Sequence, residues 1–168
     1  MKILHLFSNW KWTGPAEHAL NTAVMLKRAG HDVTFACAAP PAEAPESLAA
    51  AAIKAGIIPV TAFALNKHFN LTHNFSDIFR LRSFLKKEKF DLIHTHMTND
   101  HLLAGCAAQL IKGRTPIVRT CYDGTGIRGT LKNRLLLSAM TDSLITISDS
   151  TRRQIMSNYS LPAKKIWK

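Results

Sequence analysis

Short apolar runs rich in β-branched residues alternate with longer amphipathic stretches along all 168 residues, and this alternation constrains the fold more than any other feature. Strands covered on both faces read as near-continuous apolar runs, and strands that pair in parallel need a crossover, usually a helix, between them. Lys2–Phe7 is such a run, followed by a turn-like Ser8–Pro15 and an amphipathic stretch from Ala16 to Ala29 that Gly30 closes. Asp32–Cys37 reads as the next strand. A proline-rich link from Ala39 to Pro45 leads into a helix over Glu46–Ala55, closed by Gly56. The spacing then predicts a strand over Ile58–Phe63, a polar loop over Lys67–Asn74, a helix from Ser76 to Lys89 and a strand over Asp91–Thr95. Asn99 or Asp100 is placed to cap a helix through Ile111. Thr115–Cys121 reads as a strand, Gly129–Met140 as a helix and Ser143–Ile147 as the last strand, before a helix to Ser157 capped by Ser148 or Asp149. The pattern predicts one domain over residues 1–168: a doubly wound, mostly parallel, Rossmann-like α/β sheet with helices on both faces.

Composition excludes several classes. With 20% charged and 46% hydrophobic residues the chain can bury a core and is not of disordered composition. No apolar run approaches the ~18–20 residues that span a bilayer. Met1–Phe7 is too short for a secretory signal, so residence in the cytoplasm is expected. The cysteines, Cys37, Cys106 and Cys121, are odd in number and far apart, which argues against a disulfide framework or a zinc site. The net charge of +11 would attract nucleic acid, anionic lipid or phosphorylated small molecules alike. No zinc finger, RNP-like motif or helix-turn-helix supports nucleic acid, so none is expected as a partner.

In doubly wound sheets ligands meet the loops at the carboxyl ends of the strands. The first such loop ends in Gly14-Pro15 at a helix start, where backbone N–H groups favour an anion, although both are also ordinary helix punctuation. There is no GxGxxG and no GxxxxGK[ST]. Trp10 and Trp12 in this polar loop offer flat faces that stack on sugars or turn back onto the domain. His94 and His96 flank Thr95 at the end of a strand. They are expected on opposite faces, which argues against joint metal ligation and leaves His96, nearest the loop, as the candidate for a cleft role. Phe75, Phe79, Arg82 and Lys86 fall along one side of a helix, the pattern of an interfacial helix on anionic lipid, while Ile78, Leu81 and Leu85 form a separate core stripe.

An ordered set of segments resembles the amino-terminal domain of family-4 (group 1) glycosyltransferases of the GT-B fold. The set comprises Ile3–Leu6, Thr13–Glu17, Ala19–Leu26, Ala29–Val33, Phe90–His96, Thr115–Thr120, and Leu144–Asp149 followed by Arg152-Arg153. The resemblance implies a retaining, metal-independent transferase that moves a sugar from a nucleotide-sugar donor to a cell-envelope glycan or glycolipid, with no other cofactor. It implies peripheral contact with the inner face of the cytoplasmic membrane. This domain would supply the acceptor side of an interdomain cleft. The nucleotide-sugar-binding domain would begin just after a segment resembling Lys164–Trp167 and is absent from the chain, which alone is expected to be nearly inactive. By the same resemblance Gly14 belongs to the donor-diphosphate loop. Where the family has a second glycine this chain has Pro15, so the amide contact passes to Ala16. His96 would face the donor sugar and stabilise developing charge. Arg119, Tyr122, Asp123 and Arg128, with Trp10 and Trp12, would contact acceptor, and an anionic one would suit the arginines. The competing reading is a free-standing α/β module that binds phosphorylated ligands without catalysis.

Overall fold

The computed structural model describes residues 1–124, 126–159, 162 and 165–168. The chain runs β1 (Lys2–Phe7), α1 (Gly14–Arg28), β2 (Asp32–Cys37), α2 (Leu48–Lys54), α3 (Leu71–Glu88), β3 (Leu92–Thr95) and α4 (Thr98–Gln109). It continues with β4 (Ile117–Cys121), α5 (Leu131–Ala139), β5 (Ser143–Thr146), α6 (Asp149–Tyr159) and β6 (Ile166–Trp167). All strand pairs are parallel, in the order β2-β1-β3-β4-β5-β6, which is the doubly wound sheet expected. The chain winds outward from β1 to β2, then crosses back to β3 on the other side of β1. The winding therefore reverses between β1 and β3, and that crevice is where such sheets hold ligands.

Alternation along the strands divides the interior. Leu4 and Leu6 of β1 pack with Leu81 and Leu85 of α3 and Leu103 and Ala107 of α4. Phe7 and Phe35 turn the other way, onto Ala16, Ala19 and Leu20 of α1 and Leu48 of α2. Local chemistry sets the helix ends. Ser47, Asn70, Thr130 and Ser148 each accept a hydrogen bond from a first-turn amide of α2, α3, α5 and α6, and Gly30 and Gly56 follow α1 and α2 with positive φ.

Three departures have physical causes. Helix α3 begins at Leu71 rather than Ser76, because the Asn70 side chain accepts from the His73 amide and turns the supposed polar loop into a first turn. The strand expected over Ile58–Phe63 is a single bridge, in which Val60 accepts from Cys37 N–H (3.1 Å) and donates to Phe35 (2.8 Å). Pro59 has no N–H to extend that ladder. Finally, Ile166–Trp167 adds an unforeseen sixth strand to the edge of β5. Lys164 of the Lys164–Trp167 segment lies outside the described residues.

Candidate functional site

At the crevice between β1 and β3 the two strand ends are tied by one buried carboxylate. Asp100, in the first turn of α4, accepts from Ser8 N–H (2.8 Å), His96 N–H (3.2 Å) and Met97 N–H (2.9 Å), and its own N–H donates to Ser8 Oγ (3.1 Å). Burial raises its carboxyl to about 7, against the opposing pull of these amides and of Arg119.

His94 and His96 do not lie on opposite faces as expected. Residues two apart on a strand share a face, and the two rings are 4.2 Å apart between centroids. The β1–β3 register sets His5 beside His94, so three imidazoles converge beneath α1. The His5 and His96 rings, 5.3 Å apart and 15° from parallel, are joined by a 3.1 Å hydrogen bond between His5 Nδ1 and His96 Nε2. His96 Nδ1 is hydrogen-bonded to the Tyr122 hydroxyl (2.8 Å), and His94 Nε2 to Thr120 Oγ1 (2.8 Å). Burial holds all three rings neutral, with His94 lowered to about 4 and His5 and His96 well below the usual imidazole value. Their nitrogens lie within 4.8 Å of one another, the one such group among the described residues that could share an ion, although His5 Nδ1 and His96 Nε2 are already bonded together.

Beside this cluster opens a cavity of about 440 Å³ lined by β4, by the segments that follow β3 and β4 and by the first turns of α1, α4 and α5, including Pro15, His96, Thr98, Arg119, Tyr122, Asp123, Arg128 and Asn133. The fold thus gathers His96, Arg119, Tyr122, Asp123 and Arg128, which the sequence had offered separately. Arg119 is held in place, with Nη1 donating to His101 Nδ1 (3.1 Å) and Nη2 to Thr98 Oγ1 (3.2 Å). His101 Nε2 in turn meets Thr141 Oγ1 at 2.8 Å. Arg119 Nε is buried and has no partner.

Among the described residues, Trp10, Trp12, Gly14 and Ala16 do not line this cavity. Trp10 turns partly into the α3/α4 core, whereas Trp12 is exposed. Gly14 opens α1 with open space over it, and Ala16 is buried in the first turn. Phe75 and Phe79 are 63% and 46% exposed on the outer side of α3, their rings edge to face at 4.9 Å, and Lys86 is exposed on the same helix. Arg82 is half-buried, its Nε donating to Leu110 O (3.1 Å). His5, Thr98, Asp100 and His101 were missed as site residues. The available signal was polar side chains inside otherwise apolar strands and helices, above all His5 in Ile3–Phe7.

Comparison with curated protein sequences gives no match. Among solved structures, the lipopolysaccharide outer core galactosyltransferase WaaB is similar over all of this chain (TM-score 0.71, 15% identity) and 45% of its own. HepE of Anabaena, solved with UDP and glucose, matches over 99% of this chain and 43% of its own (0.72, 16%). A UDP-GlcNAc 2-epimerase of Neisseria meningitidis bound to UDP-GlcNAc matches over 99% and 45% (0.73, 16%). The chain therefore spans less than half the length of these structures, and at such identities they establish the fold alone. The Glycosyltransferase Family 4 model matches residues 12–167, nearly the whole sequence. With that match over a doubly wound lobe, the chain belongs to Glycosyltransferase Family 4.

Proposed function

We propose that this domain receives the acceptor in a retaining, metal-independent transfer of a sugar from a nucleotide-sugar donor to an anionic cell-envelope glycan or glycolipid. The observation that carries the reading is Arg119, a buried guanidinium whose Nε lacks a partner in the wall of a cavity at the crevice where the winding reverses. A phosphate or carboxylate on the acceptor would be drawn to the charge of this guanidinium, and Arg128 at the same cavity adds a second cation. The donor diphosphate would lie at the start of α1. There the N-cap Thr13 makes no side-chain cap bond and Pro15 has no N–H, which leaves the amides of Gly14 and Ala16 to face it. His96 and Tyr122 stand where the sugar would be passed.

In the intact transferase, screening nucleotide sugars against phosphorylated and neutral glycans is expected to give transfer to the anionic acceptor. His96→Ala is expected to lower kcat/KM about 100-fold, the scale of losing one preorganised hydrogen-bonding unit at a reacting centre, here the His96–Tyr122 pair. Equal use of neutral acceptors would remove the anionic assignment, and absence of transfer from every donor would remove the reading.

No helix among the described residues is long and apolar enough to cross a membrane. We propose instead that Phe75 and Phe79, with Leu71 and Phe69 exposed beside them and Lys86 on the same helix, rest on an anionic membrane surface. Arg82 contributes less than its spacing suggested, since it is bonded to the end of α4. Flotation with vesicles containing anionic lipid is expected to carry the chain, and Phe75→Ser together with Phe79→Ser to release it. Equal flotation with neutral vesicles, or none with either, would reject the contact.

A further inference from the structure

Both ring nitrogens of His96 are engaged, one by His5 and one by Tyr122. The histidine therefore meets a ligand through the group beyond it, and the direction of the hydrogen bonds decides what that group can do. His5 Nε2 is buried and has no partner. A neutral imidazole carries one N–H and one lone pair. If His5 bore its proton on Nε2, a donor would be buried unsatisfied, whereas a proton on Nδ1 is used in the bond to His96 and leaves only a lone pair unmet. Orphaned buried N–H groups are the rarer kind. The ring geometry agrees: a 15° interplanar angle at a 5.3 Å centroid separation is that of two imidazoles joined edge to edge, with the proton in the plane of both.

We infer that His5 is a positioning residue that sets the tautomer of His96. Its Nδ1–H donates to His96 Nε2, His96 Nδ1–H donates to Tyr122 Oη, and the Tyr122 hydroxyl keeps its own proton to donate. An acceptor for that proton is a ligand oxygen entering the cavity that Tyr122 lines. The chain of bonds starts at a residue 91 positions away from His96 and ends at the cavity wall. Tyr122, rather than His96, is the catalytic contact, holding the acceptor hydroxyl or the leaving oxygen by donation. The near-parallel His96 and Tyr122 rings, 16° apart, match a bond lying close to both ring planes. Burial keeps His5 and His96 neutral, as this polarity requires.

The tautomer assignment stands on this domain alone, and only the role of Tyr122 rests on the proposed function. The test is a long-range proton–nitrogen correlation spectrum of the 15N-histidine-labelled 168-residue chain at pH 7.5. His5 and His96 are both expected as Nδ1–H tautomers. His5→Phe is expected to move the proton of His96 to Nε2, and His5→Asn, whose amide N–H stands near the Nδ1 position, to retain it on Nδ1. A wild-type His96 protonated on Nε2 would overturn the proposal even if neither variant folds. So would one equivalent of ZnCl2 shifting His5, His94 and His96 together, which would make the cluster an ion site. In the intact transferase His5→Phe is expected to lower kcat about tenfold with the acceptor KM unchanged, and His5→Asn to restore it. A fall confined to KM would remove the role of Tyr122. If wild type transfers nothing, the proposed function fails, while the spectra still decide the tautomers.

Discussion

Acidification from pH 7 to pH 5 is expected to destabilise the chain strongly. His5, His94, His96 and His101 are buried, and desolvation lowers each of them, His94 to about 4 and His101 to about 3. A group whose folded pKa is depressed contributes stability that is present above its unfolded value, near 6.5, and lost as pH falls toward the folded one. Asp100 works in the opposite sense. Its carboxyl is raised to about 7, so its contribution is greatest below its unfolded value, near 3.8, and is lost as pH rises through about 7. Between pH 6.5 and 5 four imidazoles oppose one carboxyl, so the native state binds about one fewer proton than the unfolded chain at pH 6.5 and about three fewer at pH 5. At about 1.4 kcal/mol per proton per pH unit, that window removes about 4–5 kcal/mol. A small domain has about 5–15 kcal/mol in total, so this is about a third or more of its stability. The urea midpoint followed by circular dichroism should fall steeply as pH is lowered from 7 to 5. A urea midpoint that stays constant from pH 7 to pH 5 would refute the assignment of four buried neutral histidines.

Asp100→Ala should be the most disruptive single change at the site. It would leave the amides of Ser8, His96 and Met97 buried without an acceptor at the junction of β1, β3 and α4. Removing one partner from such a set exposes the desolvation cost of each donor, about 1–3 kcal/mol apiece, and partial relaxation brings the expected loss to about 3–5 kcal/mol. Asp100→Asn should cost less, because one oxygen still accepts, but its NH2 then faces donors. Urea unfolding monitored by tryptophan fluorescence measures both. The midpoint should fall in the order wild type, Asn, Ala, with the slope unchanged. An alanine variant as stable as wild type would mean that the two strand ends are fixed by something other than Asp100. The same variant should loosen the backbone at His96, whose amide loses its acceptor.

The sequence by itself determined the class of fold and the succession of most elements. Apolar strands, glycine stops at Gly30 and Gly56 and the serine cap at Ser148 are properties of neighbouring residues, and the structure repeats them. Of the residues singled out on the loops and strand ends, His96, Arg119, Tyr122, Asp123 and Arg128 come together at one cavity. A short-range signal with two meanings is resolved only by the fold: Asn70, polar like its neighbours, is a helix cap, Pro59 reduces Ile58–Phe63 to a single bridge, and His94 and His96, two residues apart, share one face of the sheet. Tertiary structure alone decided that His5 meets His96, that Asp100 joins β1 to β3, and that Trp10 turns into the core. These contacts depend on which strand lies beside which and in what register. That is settled when whole elements pack and bury their faces together, over sequence separations at which no local preference acts.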